Sequence, residues 1–364
     1  MKIQINKQEF VTALRTAQDI ADKKSTMPIL SHVLIQTVGD DAILLCATDY
    51  VVSYSGKVSC KVEEQGGISV EADTFCSLIG SMPGDDILLV TKGDVVGIKA
   101  ERAKYKLRCS DPEAYPPLPD YAESEFYPVD AKAFRGLLDK TMFSVCTDEA
   151  RFHLSGVYYE SDGDRIRMVS TDSHRLSKAE VAQTGTKSDG VIIPKKGITE
   201  LRKLLAGTEI ASIAVSPPML FASVGDTILG VKLIDSQFPA YAAVIPTDNT
   251  KVVRLNRGDA ISVFKRVQIV STDARGVKLD LSEGSLKISG TNPDLGQAEE
   301  ELDANYDGEN MSLNLDPKLV VEYMSKMPGD EIIISMSNNM SPVLIHSSDT
   351  SYDYIGVVMP LMPS

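Results

Sequence analysis

The chain has 364 residues, 43% hydrophobic and 24% charged, with 37 Lys and Arg against 51 Asp and Glu for a formal net charge of −14. That length suits two or three domains, and the composition excludes a disordered chain, a coiled coil and a collagen-like fibre. No stretch approaches the roughly 18 apolar residues of a membrane span, and the opening MKIQINKQEF lacks the apolar centre of a secretory signal, so a cytoplasmic protein with no membrane partner is expected.

In chain order, Asn6 stands where an N-cap belongs, and Phe10, Leu14, Ala17 and Ile20 at helical spacing predict a helix within 7–24. The strand-like run AILLC then ends at Ala47-Thr48-Asp49. A second helix over 73–82 runs into Met82-Pro83-Gly84-Asp85-Asp86-Ile87, and alternating ILLV follows. After the turn-rich Pro116-Pro117-Leu118-Pro119-Asp120 the pattern restarts. Asp130 caps a helix carrying Phe134, Leu137 and Leu138, RIRMV ends at Ser170-Thr171-Asp172, and a helix over 197–205 meets Ala206-Gly207-Thr208-Glu209-Ile210. Beyond Pro246-Thr247-Asp248-Asn249 it restarts again. Asn256 caps a helix, SLKIS ends at Gly290-Thr291-Asn292, and a helix over 317–327 runs into Met327-Pro328-Gly329-Asp330-Glu331-Ile332.

Three independent markers therefore recur at a period near 122 residues, and three such units nearly fill the chain. Helices at two points of each unit, with strands elsewhere, predict an α+β fold of three similar domains. These are placed at 1–120, 121–247 and 248–364, their antiparallel sheets taking helices on one face.

The acidic total argues against bulk electrostatic binding of nucleic acid, but the charge is unevenly placed. The six helical segments (7–24, 71–82, 130–142, 195–205, 257–270, 316–327) hold 16 Lys and Arg against 11 Asp and Glu, a net of +5 that leaves −19 elsewhere. The bias sits in 195–205 and 257–270, while 71–82 is acidic. Helices facing a polyanion would need this split, and helices carrying Lys for solubility alone would also produce it. A few Lys and Arg on phosphates would leave a protein mobile along DNA and salt-sensitive, so tight retention would need something beyond contact energy, such as encirclement.

Cys46, Cys60, Cys76, Cys109 and Cys146 are widely spaced without a CxxC pair, which fits reduced thiols and neither a disulfide framework nor a zinc site. No metal and no cofactor is expected. Thr48-Asp49, Thr171-Asp172 and Thr291-Asn292 recur in all three units, which reads as a structural Asx turn. Ser173-His174-Arg175-Leu176 has no counterpart in the other units, which makes it a site candidate. Asp172, Ser173 and His174 are contiguous and point in different directions, so they cannot relay hydrogen bonds as a hydrolase triad does. With four histidines in all and no G-x-S-x-G, P-loop or H-E-x-x-H, an enzyme is the weakest reading.

Met27-Pro28-Ile29-Leu30, Thr171-Asp172-Ser173-His174-Arg175-Leu176, Pro194-Lys195-Lys196-Gly197, Phe238-Pro239-Ala240-Tyr241 and Val357-Val358-Met359-Pro360 resemble the bacterial DNA polymerase III β subunit family, the sliding clamps, over essentially the whole chain. The resemblance implies a DNA clamp fold closing as a homodimer into a six-domain ring, helices lining the hole and sheets outside. It implies no reaction of its own, and as partners double-stranded DNA, the replicative polymerase catalytic subunit, an ATP-dependent clamp loader and other proteins bearing a clamp-binding motif.

By the same resemblance a partner-peptide pocket would take Leu154, Thr171, Ser173, His174, Arg175, Leu176, Pro239, Val244, Met340, Pro342, Val357, Val358, Met359, Pro360, Leu361 and Met362. DNA would meet Lys24, Arg151, Phe152, Lys195 and Lys196, with Lys23, Arg202, Lys203, Lys265 and Arg266 added on charge alone. The dimer contact is expected to set an edge strand with Tyr105 and Leu107 against Ile269 and Val270, head to tail. Departures are Ala243 where the family often has Arg, Phe152-His153 in place of an aromatic pair, Leu319 in place of a polar aromatic, and the ending Met362-Pro363-Ser364. A repeat-built cytosolic peptide adaptor without DNA encirclement is the alternative reading.

Overall fold

Each repeat opens on the same backbone lock. In the computed structural model, which describes residues 1–185, 187–272, 276–349 and 352–362 and only the backbone of Glu149, the N–H of Lys7 donates to the Asp85 carbonyl at 2.7 Å. Ala131 N–H donates to Glu209 at 2.9 Å and Arg257 N–H to Asp330 at 2.7 Å. Each bond satisfies a helix-start N–H that has no partner within the helix. The accepting turn depends on Gly84, Gly207 and Gly329, at φ 72°, 76° and 73°, a left-handed conformation that glycine adopts without Cβ strain. That geometry explains why the Gly-Asp/Thr-Asp/Glu string recurs.

Among the described residues six α-helices follow: α1 (Lys7–Ile20), α2 (Ala72–Ser81), α3 (Ala131–Thr141), α4 (Lys195–Leu204), α5 (Arg257–Gln268) and α6 (Pro317–Lys326). Asn6 caps α1 by accepting from the N–H groups of Gln8 and Glu9, and Asn256 caps α5 by accepting from that of Asp259. α1 stops four residues before the predicted end, because the chain turns extended at Ala21 and Asp22 N–H donates to the Leu30 carbonyl. The predicted apolar stripes are the buried ones: Phe10, Leu14, Ala17 and Ile20 on α1, and Phe134, Leu137 and Leu138 on α3. α1 packs on α2 with Phe10 edge-on to Phe75 at 5.9 Å, and α5 packs on α6. Each fully buried Phe or Leu contributes roughly 1.5–3 kcal/mol.

The described residues divide into two compact units. The first joins Met1–Lys132 to Thr199–Leu233 and the second joins Ala133–Ile198 to Ile234–Ser364, so the middle repeat is shared between them. Hydrogen-bonded sheets cause this. In the first unit a 12-stranded antiparallel sheet continues from Val52–Glu64 into Thr227–Lys232, with Ser55 opposite Ile228. Its path ends at strands Ala103–Arg108 and Tyr127–Asp130. In the second unit an eight-stranded sheet joins Arg175–Ala182 to Asp353–Val358, with Leu176 opposite Val357. A separate four-stranded sheet there has Gly296–Asp303 and Met311–Leu315 as its edges.

Glu180, 4% exposed, lies opposite Arg167 on the neighbouring strand and also accepts from Arg165. Burial alone would raise its carboxyl pKa, but the hydrogen bonds from Arg165 and Arg167 outweigh burial and hold it below the usual carboxylate range. A carboxyl depressed in the folded state contributes stability that is full above its unfolded value near 4.3 and is lost as pH falls through the folded value. Glu180→Gln is expected to cost about 3 kcal/mol at pH 7 and to flatten the loss of stability below about pH 4.3. Urea unfolding at pH 7 and at pH 3.5 measures both.

Candidate functional site

The Thr-Asp turns are alike at their first hydrogen bonds and different at their tips. Asp49 Oδ1 accepts from the N–H groups of Val51 and Val52, Asp172 Oδ1 from those of His174 and Arg175, and Asn292 Oδ1 from those of Asp294 and Leu295. These are Asx turns in all three repeats. In the middle repeat the turn carries more. The Arg175 guanidinium, 11% exposed, binds Asp172 at 2.9 Å, pairs with Glu322 of α6, donates to the Phe143 carbonyl at 2.6 Å and lies over the Phe143 ring. Four-way fixation makes Arg175 the buttress of the turn. Ser173, at φ 78°, adopts a left-handed conformation uncommon for a residue with a Cβ, one it shares with Tyr50, at φ 69° in the first repeat's turn.

This turn forms one side of an apolar cleft of about 280 Å³ in the second unit. Leu154, Leu176 and Val357 belong to the hydrophobic cluster beneath it. Thr171, Ser173 and Arg175 edge it, and Pro239, Val244 and Met359 line it. Ala240 and Tyr241 line it too, although the sequence marks them only as part of a recurring family string. Val244 and Met359 are 53% and 41% exposed, so the cleft presents apolar surface to solvent, with no covering element among the described residues. A flexible thioether such as that of Met359 adapts to several apolar ligands.

Other expected pocket residues stand outside this lining. Val358 is fully buried, because successive residues of a strand face opposite sides of the sheet, so it is core. His174 is exposed and its carbonyl accepts from Met359 N–H at 2.9 Å. Leu361 N–H donates to Asn314, and Pro360 lies between these two anchors. Met340, 61% exposed, sits on a turn capped by Asn338, the Pro342 carbonyl accepts from Asn249, and Met362 is 72% exposed. Pro363 and Ser364 lie outside the described residues.

The cations expected to meet DNA are less free than their charge suggests. Arg151, on the 3-10 turn Glu149–Leu154, donates through Nη1 to Ser173 Oγ at 3.0 Å and pairs with Asp148, which puts it at the cleft's edge. Phe152 is 55% exposed. Lys203 bridges Asp19 and Glu200 at 2.9 and 3.1 Å, Lys23 pairs with Asp73 at 2.6 Å, and Arg266 holds Glu300 with two hydrogen bonds. α4 carries Lys195, Lys196, Arg202 and Lys203 together. Lys24 and Lys265 are exposed.

Tyr105, 50% exposed, and Leu107 lie on the terminal strand Ala103–Arg108 of the first unit's sheet. Ile269, 73% exposed, and Val270 follow α5 in the second unit. α5 packs on strand Gly296–Asp303, a sheet edge holding Glu299, Glu300, Glu301 and Asp303. The terminal strand of the first unit carries Lys104, Lys106 and Arg108 instead. Sequence pattern singles out the strand with Tyr105 and Leu107 but not the acidic strand Gly296–Asp303.

No hydrolytic relay exists at the middle turn. Asp172 binds Arg175 and backbone N–H groups, and Ser173 Oγ accepts from Arg151. Among the described residues, no cluster of His, Cys, Asp and Glu is placed to hold a metal, and no helix is long and apolar enough to cross a membrane.

Known proteins agree over the full length. Profiles of the DNA polymerase III beta subunit match its N-terminal domain at residues 1–119, its central domain at 128–240 and its C-terminal domain at 242–362. The beta sliding clamp of Caulobacter vibrioides is 31% identical, covering 99% of this chain and 100% of that one. The chain belongs to the DNA polymerase III beta subunit family. Among solved sliding clamps, that of Pseudomonas aeruginosa superposes with a TM-score of 0.94 at 29% identity, covering 100% of both chains. The clamp of Bartonella birtlesii, solved bound to griselimycin, gives 0.93 at 29% identity and the same coverage. The fold is thus the three-domain clamp fold of helices and antiparallel sheets, and the function is that of a sliding clamp, a processivity factor of DNA replication.

Proposed function

We propose that two copies close head to tail into a ring around duplex DNA and tether the replicative polymerase catalytic subunit through the apolar cleft. The observation that carries this reading is the cleft itself: an uncovered apolar site on a rigid, multiply anchored turn, in a chain related to sliding clamps over its full length. Peptide-like ligands such as griselimycin suit such a cleft. Other proteins with a clamp-binding motif compete for it, and an ATP-dependent loader opens the ring. The protein works in the cytoplasm and has no catalytic activity of its own.

In this reading the basic edge strand with Tyr105 and Leu107 meets the acidic edge strand and Ile269 and Val270 of the second copy. Opposite charges along two unpaired strand edges favour one partner and one register. Light scattering is expected to return twice the 39.5 kDa of one chain, and a monomer at micromolar concentration would contradict the ring.

DNA contact falls to α4, which includes Arg202 and Lys203, and to exposed Lys24, Phe152 and Lys265, with Lys23 and Arg266 added on charge. Carboxylates already paired with several of these cations keep the phosphate contacts weak, which suits sliding. Reversing Lys195 and Lys196 to Glu is expected to reduce the slope of log affinity against log salt by about 0.9 for each phosphate that the protein ceases to neutralise. An unchanged slope in fluorescence anisotropy titrations would remove α4 from the DNA-facing surface.

A further inference from the structure

One wall of the cleft is segment 238–244, which belongs to no sheet. Among the described residues its backbone hydrogen bonds run within itself, Tyr241 N–H to the Pro239 carbonyl and Ala243 N–H to that of Ala240. Side chains must therefore hold it against the sheet. Phe238 stacks on Tyr158 with ring centroids 4.9 Å apart and planes 16° from parallel. The second anchor is polar: the Tyr241 hydroxyl donates to Glu160 Oε1 at 2.6 Å and accepts a longer bond from Arg167 Nη1 at 3.4 Å. Burial and the neighbouring Glu160 push that hydroxyl's pKa up to about 12, so it remains a donor at neutral pH.

Glu160 is itself fixed by register. It lies directly opposite Arg167, which lies directly opposite Glu180, and Arg167 is ion-paired to both carboxylates. Opposite charges facing each other across strands stabilise the pairing, and a hydrogen bond accepted by a carboxylate is about twice as strong as a neutral one. The row thus carries a rigid, charged acceptor from the sheet to the one wall the sheet does not build.

We infer that Glu160, held by Arg167, is a positioning residue that fixes the Tyr241 wall of the cleft in its ligand-ready place. This rests on the reading of the cleft as the partner site. Preorganising a binding wall lowers the ordering cost of association, so the effect belongs in the dissociation rate of the ligand.

Griselimycin serves as the probe on the full-length protein, by surface plasmon resonance. Tyr241→Phe removes one oxygen and keeps the ring. It and Glu160→Ala are each expected to raise Kd about tenfold through faster dissociation. The double variant should fall well short of the product of the two single effects, since the Tyr241–Glu160 bond is lost in both. Glu160→Gln, which keeps a carbonyl acceptor, should recover most of the loss. A role confined to stability would lower the melting temperature and leave the dissociation rate of the folded protein unchanged, and that result would overturn the inference. So would effects that multiply in the double variant. If the wild-type protein binds griselimycin in a manner abolished by Val244→Asp while Tyr241→Phe and Glu160→Ala bind as wild type, the inference alone fails. If the wild type does not bind, the reading of the cleft fails and the inference with it.

Discussion

Tyr105→Asp combined with Ile269→Asp is expected to turn the dimer into monomers, raising the dimer dissociation constant by at least about a thousandfold, or ~4 kcal/mol. Both side chains are exposed on the single chain, at 50% and 73%, so the fold has little to lose. In the dimer both would be removed from water. Each replacement deletes an apolar side chain whose burial is worth roughly 1.5–3 kcal/mol, and the new carboxylates would be buried without partners, which costs more. Ile269→Asp also adds negative charge beside Glu299, Glu300 and Glu301. Sedimentation velocity distinguishes the outcomes. Monomers with an unchanged circular dichroism spectrum are expected, and a persistent dimer would move the interface elsewhere.

Val244→Asp is expected to weaken griselimycin at least about a hundredfold, the largest effect of any single replacement in the cleft. Val244 is 53% exposed on the short turn Tyr241–Val244, so the carboxylate is harmless in the free protein. In the complex it would be desolvated among Leu154, Leu176, Pro239 and Met359, a penalty of several kcal/mol. His174→Ala, at an exposed position outside the lining, should weaken binding less. Isothermal titration measures both, and a Val244→Asp protein that binds like the wild type would show that the ligand sits elsewhere.

The repeat was legible because it has a backbone cause. Gly84, Gly207 and Gly329 share one left-handed turn, and each turn receives the first helical N–H of its own repeat. Glycine at such a position leaves a mark that survives divergence of everything around it. The Asx turns at Asp49, Asp172 and Asn292 were legible for the same reason. The helical stripes were legible from period alone. Sheets crossing from one repeat to the next were not, since the pairing of Ser55 with Ile228 or of Leu176 with Val357 spans well over a hundred residues and leaves no local signal.

At the site, Ser173, Arg175 and Leu176 came from a string that breaks the threefold pattern, whereas Thr171 lies in the turn that recurs and Leu154 came from the family resemblance alone. What the string could not convey is the partner of each charge. Arg151 reads as a DNA contact by its place in the chain, yet it is bonded to Ser173 at the cleft. Lys203, Lys23 and Arg266 read as free cations, yet each holds a carboxylate. Ion pairs between residues distant in sequence depend on the packed fold, so charge counts overstate how much of it faces a ligand.

Encirclement is tested most directly by topology. The protein is loaded onto nicked circular duplex DNA, the DNA is separated by gel filtration, and half is linearised with a single-cut nuclease. In the proposed reading, where phosphate contacts are weak, a closed ring should co-elute with the circles at a salt concentration that abolishes ordinary binding, and should be lost from the linear form by sliding off its ends. Equal retention on circles and linear DNA, or retention on neither, would contradict a ring that holds DNA by surrounding it.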